Sequence, residues 1–229
     1  MKIKNTKDIC TTNNIKALIY APPKYGKTTL AKTTGDRCLV VSLEAGLLSL
    51  RGSSVDYIEV DNNDKLDSFY SICSEIKKGV NYDTIYYDSM SEIADLLLED
   101  AENKFPDSRQ SLQKWGHYSK TLKSFVKFAR DLSQYNVYFS CLSKDDKDEI
   151  GRKIFIPDVA GGLSRRLPQF FDLIMTIIIS KKEDEEKRFL LTSASDGWFC
   201  GDRSGCLNKY EEMNLAKIRG KIVGNMETR

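Results

Sequence analysis

Short apolar, β-branched runs alternate with longer stretches of helical periodicity along most of the chain, the pattern of a parallel sheet flanked by helices. Residues 15–20 (IKALIY) predict a first strand, which leads into a loop rich in Pro and Gly and then a helix from about Lys27. Residues 37–43 (RCLVVSL) predict a second, fully buried strand. Residues 55–60 alternate and predict a third, followed by a helix over 65–78. Residues 84–87 (TIYY) predict a fourth strand ending in Asp88, and 136–142 (NVYFSCL) a fifth.

A long helical section separates those last two strands. Within 112–132, Trp115, Tyr118, Leu122, Phe125, Ala129 and Leu132 recur at helical spacing and predict a core-facing stripe. The polar stretch 144–158 has the length of a mobile loop or of a small hairpin around 153–156. Residues 163–169 predict a short helix. Residues 171–180 and 188–192 predict two strands around the charged turn KKEDEEK, read as a solvated hairpin tip. No repeat or linker interrupts the chain, so a single domain over 1–229 is expected, with a core at about 15–195 and an extension over 196–229.

Composition changes this picture little. The chain has 229 residues, 41% hydrophobic and 30% charged, with a formal charge of +2. That near-neutrality gives no global argument for a nucleic-acid or membrane partner. The six cysteines lack paired metal-ligand spacing and read as structural, with Cys38 and Cys141 inside apolar runs. His117, the only histidine, lies in a predicted helix and reads as structural too. The longest apolar stretch, 173–179, is too short to span a bilayer, and the first fifteen residues are polar; a soluble, reducing, cytoplasmic setting is expected.

The strongest chemical signal is Ala21-Pro22-Pro23-Lys24-Tyr25-Gly26-Lys27-Thr28, which matches the phosphate-binding pattern GxxxxGK[ST] with alanine at the first glycine. It sits between a strand and a predicted helix, where backbone N–H groups and the helix dipole attract phosphate. Lys27 would reach the β- and γ-phosphates and the Thr28 hydroxyl would ligate Mg²⁺. Gly26 leaves room for close approach, and Thr29 is a further candidate for the α-phosphate. ATP with Mg²⁺ is the expected ligand. Asp88, closing a buried strand, is placed to hold the metal through water.

The order of motifs from 15 to 180 resembles RecA-type ATPases. CLVVSLEAGLL (38–48) is similar to the segment whose acid polarises the attacking water, here Glu44. IYYDSMSEI resembles the Walker B strand with its Asp-Ser pair. YFSCLSK, the polar loop and AGGLSRRLPQFFDLIMTI resemble the sensor strand, the DNA-binding loop and the Gly-Gly unit after it. The chain resembles phage-encoded RecA-like nucleotide-binding proteins of the single-strand annealing and recombination group, which also show a tryptophan after the Walker B helix (Trp115) and a late basic motif, here GDRSG at 201–205. Where that motif carries a lysine this chain has Gly201, leaving Arg203 as the candidate for a neighbouring subunit's nucleotide. The resemblance implies an α/β, RecA-like P-loop NTPase core, with a mostly parallel central sheet flanked by helices and C-terminal antiparallel strands. It further implies an ATPase that acts on single-stranded DNA, homo-oligomerisation, host-cytoplasmic location, and a single-strand binding or replication protein as a possible partner.

The blander alternatives stay open at this stage. Glu44 could cap the helix after its strand, and Ser143 and Lys144 could sense the γ-phosphate or simply begin a loop. Lys120, Lys123, Lys127 and Arg130 share one helical face, which suits phosphates but also suits solvent. Lys153, Arg165 and Arg166 are the nucleic-acid candidates around the polar loop, where Phe155 is the one aromatic available for stacking. A small-molecule or nucleotide kinase and a replication loader ATPase are the competing functions. The single arginine in the polar loop, Arg152, counts against a kinase lid.

Overall fold

β1 (Lys16–Ala21) is buried along its whole length, which is why its sequence is apolar without alternation. β2 (Cys38–Ser42), β3 (Asp56–Glu59), α1 (Lys65–Lys78), β4 (Thr84–Asp88), α2 (Met90–Lys104) and α3 (Ser111–Asp131) follow. Then come β5 (Asn136–Lys147), β6 (Lys153–Pro157), β7 (Leu173–Lys182), β8 (Glu185–Leu191), β9 (Gly201–Asp202), β10 (Tyr210–Glu212) and α4 (Leu215–Glu227). This computed structural model describes residues 14–35, 37–44, 46–182 and 185–227; Cys10 and the tip of the KKEDEEK turn lie outside them.

The described strands form one sheet in the order β10-β8-β7-β1-β5-β4-β2-β3, with β6 on β5 and β9 on β7. The strands from β7 through β1, β5, β4 and β2 to β3 are parallel. β6, β8, β9 and β10 pair antiparallel. The mostly parallel sheet with late antiparallel strands therefore matches the sequence expectation.

Helices α1, α2 and α3 cover one face, burying Phe69, Ile93, Leu97, Leu122 and Phe125 against Leu18, Tyr87 and Phe139. Each such side chain contributes about 1.5–3 kcal/mol when fully buried. The other face is covered by the turn after β1 and by α4, whose Leu215, Ile218 and Ile222 meet Leu30, Ala31 and Tyr138.

Three local expectations change, and one open alternative is resolved. The segment after β1 is a 3-10 turn, Thr28–Thr33, rather than an α-helix. Residues 163–169 also resolve into 3-10 turns, Gly161–Leu163 and Leu167–Phe170. The polar stretch is a hairpin: β5 runs on to Lys147 and turns back as β6, with Lys147 opposite Lys153. Trp115 stands at the end of its stripe and is 41% exposed, while Tyr118, Leu122, Phe125 and Ala129 are buried as expected. Trp115 stands near the amino end of α3 and packs edge-on to Tyr118.

Candidate active site

All the parallel strands point their carboxyl ends the same way, and the crevice at that edge is where open α/β sheets bind ligands. β1 delivers the loop Ala21–Thr28 there, between β5 and β7. Two backbone features shape the loop: Gly26 has φ +99°, and Lys24 has φ +66°, a left-handed conformation uncommon outside glycine. The loop is also tied down from below, because the buried Tyr86 hydroxyl donates to the Lys27 carbonyl at 2.6 Å. Ala21 is fully buried, Pro23, Lys24 and Thr29 are exposed, and Pro22 and Tyr25 lie between.

Lys27 is only 9% exposed and its Nζ donates to the carbonyls of Ala21 and Pro22, both at 3.0 Å. Burial pushes its pKa down, while Cys141, Asp88 and Glu44 oppose that shift. Its ammonium thus sits in its own loop, held by neutral acceptors, and an incoming phosphate offers it a charged acceptor instead.

Asp88 is 4% exposed and receives two hydroxyls. Thr28 Oγ1 donates to its Oδ2 at 2.7 Å, and Ser140 Oγ, from β5, donates to its Oδ1. The Asp88–Ser89 peptide is cis. Glu44 lies just beyond β2, whose Ser42 is paired with Asp88. Ser89 Oγ donates to Glu44 Oε1 at 2.5 Å and also accepts from the Glu92 N–H at the start of α2. The turn that follows Glu44, Leu47–Leu50, has no side-chain cap. Glu44 is therefore held across the crevice by Ser89 and does not cap its own turn.

A hydroxyl and a carboxylate in contact make a hard oxygen pair, the donor chemistry that Mg²⁺ selects. Among the described residues no group of three or more His, Cys, Asp or Glu forms a metal cage. Thr28 and Asp88 are the residues that would hold Mg²⁺.

The remaining candidates fall in three places. Ser143 and Lys144 continue β5 beside the crevice, but Lys144 Nζ is already engaged, donating to the Val159 carbonyl at 2.5 Å and lying 3.4 Å from Asp158. Lys153, Arg165 and Arg166 surround the β5–β6 hairpin. Lys153 pairs with Asp145 at 2.7 Å and Arg165 with Asp146 at 2.7 Å, while Arg166 is exposed. Arg203 is elsewhere. The carboxylate of Asp202 closes its loop by accepting from the N–H groups of Ser204, Cys206 and Leu207. Arg203 donates to Gln169 O and lies 3.7 Å from Asp172. Asp172 bonds the Lys16 N–H at the start of β1, so Arg203 stands at the amino edge, opposite its own phosphate loop. Within this chain Arg203 does not face the phosphate loop.

The sequence reading missed several partners. Ser140 is a polar residue inside an apolar strand, a signal that was available. Ser89 stood beside Asp88. Phe155 is not alone: Trp198, far along the chain, stacks on it at 4.2 Å between ring centroids and 13° between planes. Next to Trp198, Phe199 is 53% exposed. These rings line a cleft of about 640 Å³ with Ile154, Arg152 and Arg165. Tyr20, the residue before the phosphate loop, hydrogen-bonds through its hydroxyl to Phe155 O, Phe199 O and the Phe199 N–H. His117 pairs with Asp100 at 3.0 Å and packs on Phe105, as a structural histidine does.

Strand order, phosphate loop, and a threonine–aspartate pair with a nearby glutamate together define a RecA-like P-loop ATPase. More specifically, the chain belongs to the AAA domain family, whose profile matches residues 13–204. No curated protein matches the sequence. Among solved structures, it is similar to a KaiC-like protein from the archaeon Pyrococcus horikoshii OT3, at 14% identity, TM-score 0.41 and 77% of each chain. A type III secretion system ATPase of pathogenic bacteria is similar at 13% identity and TM-score 0.47, over 72% of this chain and 52% of that one. Among the described residues no helix is long and apolar enough to cross a membrane.

Proposed function

We propose that the protein hydrolyses ATP with Mg²⁺ and uses the cycle to act on single-stranded DNA, in recombination or annealing, as a homo-oligomer. The observation that carries the ATPase part is the convergence of Lys27, Thr28, Asp88 and Glu44 on one crevice at the carboxyl edge. Lys27 leaves its loop carbonyls for the phosphates. Thr28 and Asp88 would hold the cation, which when bound would supply charge neutralisation for the phosphates. Glu44, oriented by Ser89, accepts a proton from the attacking water. Catalysis is then positioning and electrostatic stabilisation, with no covalent intermediate on the chain.

The aromatic cleft beside the β5–β6 hairpin supports the DNA part. Bases stack on aromatic rings without sequence preference, and the cleft offers Phe199 and the Phe155–Trp198 pair with two arginines. The resemblance to the phage-encoded annealing group points the same way. Lys153 and Arg165 are paired with aspartates, so phosphate contacts there displace carboxylates; affinity falls with salt through release of the counterions of the contacted phosphates.

The test is phosphate release with and without single-stranded DNA, with Lys27→Ala as the inactive control, alongside size measurement with and without ATP and DNA. Stimulation by DNA and a nucleotide-dependent rise in mass are expected. Absence of both stimulation and DNA retardation at low salt would sink the DNA part, and transfer of phosphate to an acceptor would replace hydrolysis by kinase activity.

A further inference from the structure

The metal side of the site leaves the other side of the phosphate loop unexplained. Asp88 and Glu44 both lie on the β5–β4–β2 side of β1, so the γ-phosphate end of a bound nucleotide points that way. The rest of the nucleotide then runs over the loop toward β7 and β8. β8 is two strands from β1, roughly 10 Å at the usual strand spacing.

The β7–β8 ladder continues well past the end of β1. β7 is level with β1 only from Leu173 to Met175, yet it pairs with β8 up to Lys182. Arg188, opposite Ile179, therefore stands above the carboxyl edge, beside the phosphate loop. Its Nη1 donates to the Tyr25 carbonyl at 3.3 Å, and its Nε and Nη2 bond Glu186 at 3.3 and 2.9 Å. A Cβ built on Gly26 would come within 3.2 Å of the same Nη1 and 3.9 Å of the Met213 methyl. A side chain at Gly26 would thus press on the guanidinium and shift it by a few tenths of an ångström.

We propose that Arg188 is a nucleotide-binding residue acting within its own subunit, and that it contacts the nucleoside monophosphate part rather than the γ-phosphate. This rests on the nucleotide-binding reading above. A guanidinium has five donors in a rigid fork and stacks on planar rings, so it suits both an α-phosphate oxygen and a base. Its bond to the Tyr25 carbonyl is long and made to a neutral acceptor, and is readily exchanged for a charged one. On nucleotide binding Arg188 leaves Tyr25, with Glu186 keeping the side chain near the loop.

The experiment measures ATP, ADP and pyrophosphate binding by titration calorimetry for the wild-type chain, Arg188→Ala and Arg188→Lys, with thermal unfolding of each. Loss of a charged hydrogen bond predicts that Arg188→Ala weakens ATP and ADP alike, on the order of tenfold or more. Pyrophosphate binding and the melting temperature stay close to wild type, and Arg188→Lys recovers part of the loss. Weakening of ATP alone would place Arg188 at the γ-phosphate and overturn the assignment. Unchanged affinities with a lowered melting temperature would reduce Arg188 to a structural tie between hairpin and loop. Should Arg188→Ala fail to fold, Arg188→Lys and Arg188→Gln carry the same comparison. A wild-type chain that binds no nucleotide would instead overturn the underlying reading.

Discussion

Replacing Asp88 by asparagine separates the metal role of this residue from its structural one. Asp88 is almost fully buried and accepts hydroxyls from Thr28 and Ser140. Asparagine keeps the shape and one acceptor. Its amide can donate to the second hydroxyl once that hydroxyl rotates, so the fold loses about 1 kcal/mol or less. What disappears is the negative charge beside Thr28. Groups that hold a metal through its waters typically contribute 10–100-fold to metal affinity or activity, and Asp88→Asn is expected to raise the Mg²⁺ requirement of phosphate release by about that factor. ATP binding in the presence of a chelator should stay within about twofold of wild type, because Lys27 and the loop backbone are untouched. The assay is phosphate release against Mg²⁺ at fixed ATP, paired with calorimetric binding in EDTA. Mg²⁺ titrations that superimpose on wild type would refute the assignment of Asp88 to the metal. A collapse of binding in EDTA would show that the residue mainly holds the loop.

Glu44→Gln should keep nucleotide binding and lower the hydrolytic rate by about 10²–10⁴-fold, the usual contribution of a positioned general base; an unchanged single-turnover rate would remove Glu44 from the mechanism. High pH should destabilise the chain through its buried thiols. Burial pushes Cys73, Cys141 and Cys200 up to about 12 from 9.0. The unfolded chain loses those protons first, so each thiol costs about 1.4 kcal/mol of stability per pH unit between those values. Lys16 works in the opposite direction, since burial lowers it to about 8 and the folded state sheds its proton earlier, but that gain ends at 10.5. Net loss of the folded state is therefore expected to steepen above pH 10, followed by circular dichroism. Stability that holds flat to pH 11 would contradict it.

How much of this could be read from the sequence depended on burial. β1, β2, β4 and the first half of β5 are enclosed on both faces, and their unbroken apolar runs show it. The second half of β5 and β6 is a solvated hairpin whose charges pair across strands, Lys153 with Asp145, and polar alternation of that kind also describes a loop. The α4 stripe Leu215, Ile218, Ile222 was visible at helical spacing but lay in a segment taken as an extension. Lys27 and Thr28 were legible because loop chemistry fixes their spacing, and Asp88 because it closes a buried apolar strand. Ser89 holding Glu44, Trp198 stacking on Phe155 and Arg188 reaching Tyr25 were not, because only the folded sheet brings them together.

The hydroxyl of Tyr20 gives the molecule a mechanical linkage. It joins the last residue before Ala21 to two neighbouring backbone segments that line the aromatic cleft, at Phe155 and at Phe199. A strand packed on both faces bends little, so a displacement at Phe155 or Phe199 would reach the root of the phosphate loop through Tyr20. Reciprocity then sets the terms: whatever factor a cleft ligand changes nucleotide affinity by, nucleotide changes cleft affinity by the same factor. A ligand in the cleft and a nucleotide on the loop would then share a single phenol as their link.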